Sequence, residues 1–301
     1  MRLLQIELYK LWHNTISKVL IFGYFLLILS ISILSTIKID LGPVKFYLAE
    51  QGIFNFPYIW HFNTFMIALL KIFFAIIIVA MVGNEYSHKT LKQNLIDGLS
   101  KSEFLRSKVY AILLFVLTST LLVFIVSLIL GGIYSDYNEV AIIFKDLEYL
   151  VAYSIKLFGF FTFCLFLSIL IKKAAFSLGF LFLWQVIEGI CYGLMKWKLS
   201  DIIPQLSAEQ VFVFFPLNAI GNLIKEPFSR LSAVQNIADQ IGDGFTKNYD
   251  VSLISVLIVL VWSCIGGHKL KWISKGLTEP KVLYNFSKMP FPPQFQHHHR
   301  I

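Results

Sequence analysis

Residues 62–82 read FNTFMIALLKIFFAIIIVAMV, twenty-one positions with Lys71 as the sole charge. At about 1.5 Å per residue, a helix of that length crosses the ~30 Å hydrocarbon core of a bilayer. The next apolar stretch, VYAILLFVLTSTLLVFIVSLIL (109–130), is as long, and between them lies GNEYSHKTLKQNLIDGLSKSEFLRSK (83–108), short, basic and polar. Two spans joined by a punctuated polar segment are the frame in which the rest of the chain is read.

The 301 residues are 57% hydrophobic and 15% charged, with a mean hydropathy of +0.71. A soluble domain carries about 25% charged residues, so this chain needs a solvent other than water. Apolar runs at 19–37, 62–82, 109–130, 150–171, 174–195 and 251–267 predict six transmembrane helices in one domain. The fold class is an all-α integral membrane protein. The first run is not read as a cleaved signal, because eighteen polar-rich residues precede it and no small-residue cleavage site follows.

Lysine and arginine set the expected orientation. With both termini inside, sixteen of the 26 basic residues fall in cytoplasmic segments and eight in outer ones, while the acids divide five to twelve. The formal charge of +8 is therefore a topology signal rather than a nucleic-acid signal. A basic inner surface also suits membrane lipids as partners. Cys164, Cys191 and Cys264 all lie inside predicted spans and read as small apolar residues.

Residues 1–18 are helical in period, with Leu4, Leu8, Leu11 and Trp12 on one face and Glu7, Lys10, Asn14 and Lys18 opposite. Such a helix is expected to lie in the inner interface before the first span. Within 83–108, Leu91, Leu95, Ile96 and Leu99 make a narrow apolar stripe on a short helix, and Lys89, Lys92, Gln93 and Asn94 face away. Asp97-Gly98 reads as a stop, because glycine tolerates the left-handed turn past a helix end. Ser100 and Glu103 then form a capping box that starts a new helix. The other cytoplasmic connection, Lys172-Lys173, is minimal. The outer loop 196–250 contains VFVFFPLNAIGNLI (211–224), too short to span and expected to be re-entrant or to lie in the interface. The tail 268–301 ends in FPPQFQHHHRI, and His297–His299 read as solvated tail rather than as a metal site.

No Gly-x-x-x-x-Gly-Lys-Ser/Thr phosphate loop, His-Glu-x-x-His or Gly-x-Ser-x-Gly occurs, so the chain is expected to be neither an ATPase nor an enzyme of those kinds. Three ionisable residues lie within spans: Lys71, Lys156 and Glu188. A charge at the bilayer centre costs about 2.5–3.5 kcal/mol or more, which makes each a functional candidate. Lys156 and Glu188 sit at matched depth on consecutive antiparallel spans and could form a buried ion pair. Lys71, nearer mid-membrane, either faces a watery path or snorkels.

This layout resembles the permease subunits of type-two ATP-binding-cassette (ABC) exporters. In that family the first cytoplasmic loop carries an acidic residue, a Thr-Leu, a leucine-rich turn, a Ser-Arg-like pair and a closing lysine; here these are Glu85, Thr90-Leu91, Leu95, Ser100-Lys101 and Lys108. Lys89 departs from the family's usual glycine, and Gly98-Leu99 from its common Pro-Val. The resemblance implies that 83–108 is a coupling segment, with Glu85, Lys89, Thr90, Leu91, Leu95 and Leu99 meeting a separate cytoplasmic ATPase. It further implies a second permease subunit, identical or different, and no cofactor in this chain, ATP and Mg belonging to the partner. The location implied is a bacterial inner membrane. The second and fifth spans would line the path, bringing Lys71 and Glu188 toward it.

The Phe-rich spans lean toward an amphipathic or lipid-like cargo. The same fold could instead serve a mechanical or signalling envelope complex. An intramembrane enzyme built on Lys71, Lys156 and Glu188 would be a third reading, although no second carboxylate, histidine or nucleophile lies near them.

Overall fold

The computed structural model describes residues 2–34, 39–41, 44–46, 52–137, 139–202, 211–230 and 249–276. Of the expected tail 268–301, residues 277–301 with the three histidines lie outside these residues, as does much of the loop 196–250, and residues 268–276 continue the last helix. Helices run α1 (Arg2–His13), α2 (Thr15–Leu34), α3 (Tyr58–Ala68), α4 (Ile72–Ser87), α5 (Thr90–Ile96), α6 (Lys101–Tyr134), α7 (Val140–Ile143), α8 (Glu148–Ile171), α9 (Ala174–Ile202), α10 (Pro216–Asn222) and α11 (Leu253–Gly276). The one non-helical element among the described residues is an antiparallel hairpin of β1 (Ile39–Leu41) and β2 (Val44–Phe46), with Asp40 opposite Lys45.

Five helical segments are long and apolar enough to cross a membrane: Thr15–Ile33, Tyr58–Ser87, Lys101–Tyr134, Val140–Ile171 and Ala174–Trp197. A further apolar helical stretch, Leu253–Gly267, is shorter. The second segment joins α3 to α4 through a 3-10 turn at Leu69–Lys71. At 34 residues, α6 extends about 51 Å, longer than a ~30 Å core requires.

The helix α8 is central, packing on α3, α4, α6, α9 and α11. More than half of its apolar window is buried, against less than a fifth for α9. The core beside it is aromatic: Phe74 stacks on Phe115 at 4.7 Å and meets Phe161 edge-on at 6.0 Å. Three hydroxyls inside this packing satisfy one another. Tyr153 lies 2.7 Å from Ser119 and 3.1 Å from Tyr24, and Tyr24 also meets Ser119. Without partners each would carry a desolvation penalty of about 1–3 kcal/mol.

Glycine permits a close approach of backbone to backbone at Gly83. A Cβ on Gly83 would stand 2.6 Å from the backbone nitrogen of Ala174, where α9 begins. At the end of the bundle away from α5, Arg230 lies over the rings of Tyr58 (4.9 Å) and Tyr249 (5.3 Å). Its guanidinium donates to Nδ1 of His61, whose Nε2 donates to the Lys225 carbonyl. These bonds fasten segment 225–230 to α3.

Two expected boundaries move. Residues 1–18 are not one helix: Asn14 breaks the chain, its Oδ1 accepting the Ile16 and Ser17 amides to start α2. The helical connection expected over 83–108 is present, but α4 runs past its expected start, to Ser87.

Candidate functional site

The capping box at the start of α6 is present in full: Ser100 Oγ accepts from the Glu103 amide at 3.1 Å and Glu103 Oε2 from the Ser100 amide at 2.8 Å. Just before it, Gly98 takes a φ of +95°, the left-handed turn expected at that stop. A rigid α6 start follows, and it aims Lys108 inward.

Lys108, 1% exposed, donates to Glu7 Oε2 at 2.6 Å and to Glu85 Oε1 at 2.7 Å. Lys10 reaches the same Glu85 oxygen at 2.9 Å and lies 3.5 Å from Glu7. Ser107 Oγ donates to Glu7 Oε1. Three helices are thereby joined by charge: α1 through Glu7 and Lys10, α4 through Glu85, α6 through Lys108. Burial alone would lower the Lys10 ammonium, but its hydrogen bond to Glu85 and the fields of Glu7 and Glu85 outweigh that and raise it above its ordinary value. Glu85 Oε2 is buried and has no hydrogen-bond partner among the described residues.

This geometry corrects the reading of α1. Glu7 and Leu11 are its buried positions, while Leu8 and Trp12 of the apolar side are exposed. Glu7 had been placed with the outward polar residues; the helix is rolled because buried Lys108 needs two carboxylates. No local pattern links Glu7 to Lys108, a hundred positions away. The basic spacing of Glu85 and Lys108 was visible only as two points of a motif.

The short α5 is also turned. Leu91 is buried, and it lines a cleft of about 190 Å3 together with Leu95, Phe104 and Ile169. Leu99 faces a second cleft, between α1 and α5. Leu95 and Leu99 are half-buried at these clefts, and the most outward apolar residue of the stripe is Ile96, 79% exposed. Thr90 Oγ1 reaches toward the Glu85 carbonyl at 3.4 Å. Lys89 precedes α5 with φ +58°.

Among the intramembrane charges, no ion pair joins Lys156 to Glu188 among the described residues; each holds one end of α10. Glu188 accepts the Asn218 amide at 2.8 Å, the Leu217 amide at 3.4 Å and the Trp184 indole at 2.6 Å. Lys156 donates to the carbonyls of Gly221 at 3.0 Å and Ile224 at 3.5 Å. α10 offers each charge its own complement: free amides at its start, free carbonyls at its end. Lys71 lies over the Phe160 ring at 4.4 Å. Among the described residues no group of three or more His, Cys, Asp or Glu could hold a metal ion.

Residues 43–269, three quarters of the chain, match a family described as a protein of unknown function (DUF2705). The chain belongs to that family. No curated protein matches it. The DUF2705 match covers α3 to α10, the buried Glu85–Lys108 pair and the residues that clamp α10, and begins after α1 with its Glu7.

Proposed function

We propose that this DUF2705 protein is the permease subunit of an ATP-driven exporter of the ABC type. In this reading α11 completes a set of six spans, both termini are cytoplasmic, the membrane is a bacterial inner membrane, and α10 with its flanks is a re-entrant outer segment. A separate ATPase supplies the energy, and a second permease subunit completes the path. The cargo is amphipathic or lipid-like, in keeping with Phe-rich spans.

The observation that carries this reading is a short exposed helix locked to two long ones. Helix α5 connects α4 to α6, and buried Glu85 and Lys108 bind the flanking ends of those helices at 2.7 Å. A push on Ile96 or Gln93 would therefore move two spans together instead of being lost in a loop. In this proposal Ile96 and Gln93, both outward-facing, form the ATPase contact, while Leu91, Leu95 and Leu99 brace α5 from behind.

Co-purification with a candidate cassette ATPase tests it, comparing the unchanged chain with Ile96→Asp. Loss of the ATPase from a variant that still elutes as a monodisperse species supports the proposal. Retention of full ATPase binding and stimulated hydrolysis by that variant would sink it.

A further inference from the structure

The cleft behind α5 is chemically two-sided. Its floor is apolar, formed by Leu91, Leu95, Phe104 and Ile169, and three lysines, Lys89, Lys92 and Lys101, belong to its lining. A fourth lysine, Lys172, places its ammonium 5.9 Å over the ring of Tyr86, which also lines the cleft. Glu85 belongs to the same lining, and its buried Oε2 lacks a donor. Its charge is matched by Lys108 and Lys10 on the other oxygen, so Glu85 does not cancel the lysines of the lining.

Lys89 adds a second signal. Its φ of +58° is a left-handed conformation that costs a side chain about 1–2 kcal/mol and costs glycine nothing. A lysine held there against its backbone preference places a cation at the cleft's rim.

An apolar floor disfavours a sugar or a nucleotide, and the lysines disfavour a cation. The volume is limiting too. A cavity of roughly 150 Å3 admits benzene, so about 190 Å3 admits a headgroup and the start of a chain, not a whole lipid. An anionic head and a hydrocarbon chain together describe one class of molecule. Basic pockets between helices at a membrane surface bind anionic headgroups for the same electrostatic reason.

We propose that this cleft binds one anionic phospholipid, of the phosphatidylglycerol type. The phosphate is met by Lys89 and Lys92, and the chain origin rests on Leu91, Leu95 and Phe104. The lipid braces α5 against α6. This inference concerns the chain alone and stands whether or not the exporter reading does.

The test is native mass spectrometry of the full-length chain with phosphatidylglycerol, phosphatidylcholine of the same acyl chains, or inorganic phosphate. The expected result is one phosphatidylglycerol retained under conditions that strip phosphatidylcholine, weakened about fivefold for each lysine removed in Lys89→Gln and Lys92→Gln, and restored in the arginine variants. Lys89→Gly guards against misfolding, because it relieves the backbone while removing the charge: it should melt no lower than the unchanged chain yet retain less lipid. Equal retention of phosphatidylcholine, or undiminished phosphatidylglycerol in Lys89→Gly, overturns the proposal. So does full displacement by millimolar inorganic phosphate, which would make this a free-anion site.

Discussion

Lys108 and Glu85 meet at 2.7 Å with almost no solvent around them, at the junction where the second long helical segment ends and the third begins. The connection between those segments leaves and returns at one charged point, and α1 is tied to the same point through Glu7. Mechanical continuity among α1, α4, α5 and α6 follows from these contacts.

Removing one partner of a buried pair leaves an uncompensated charge, at about 3–5 kcal/mol. Lys108→Met should therefore lower the melting temperature of the purified protein sharply, whereas Lys10→Met, whose side chain is 39% exposed, should have a far smaller effect. Adding Glu7→Gln to Lys108→Met should recover part of the loss, because one stranded charge goes with it. Thermal unfolding followed by size-exclusion would read all three, and an additive double variant would mean that Glu7 and Lys108 act separately.

Leu91 and Ile96 should part company. Leu91→Asp places a carboxylate in a packed position beside Glu85, and a buried charge without a partner is strongly unfavourable, so a substantial fall in stability is expected. Ile96→Asp changes an exposed position and should stay within about 0.5 kcal/mol of the unchanged chain. Similar melting of both variants would contradict the orientation of α5.

The clamps on α10 should behave as independent ends. Glu188→Leu strands the Leu217 and Asn218 amides, and Lys156→Met strands the Gly221 and Ile224 carbonyls; each loss is about 1–3 kcal/mol. Hydrogen exchange over 211–224 should rise in either variant and rise further in both combined. Rescue in the double variant would instead reveal direct pairing of Lys156 with Glu188.

Gly83 and Gly132 offer opposite outcomes for one substitution. Alanine at 83 would press on the backbone of Ala174, forcing α4 and α9 apart at a cost of about 1–3 kcal/mol. Alanine at 132 meets nothing within 4 Å and should be neutral or stabilise α6 by about 0.5–1 kcal/mol. Melting temperatures of the two single variants settle the comparison.

Local signals carried much of this protein. The apolar lengths of 62–82 and 109–130, the Ser100–Glu103 box and the Asp97-Gly98 stop were legible because hydrophobic span length, capping and left-handed turns depend on residues close in the chain. Interior charges were also legible as exceptions, since Lys71, Lys156 and Glu188 stand out in any apolar run. Their partners were not. Lys156 and Glu188 find α10, Glu7 finds Lys108, and the leucines of α5 turn inward, all through contacts between residues far apart in sequence. Periodicity fixes which residues share a helix face, but the roll of that helix depends on where distant charges can be satisfied together, and only the packed bundle decides that.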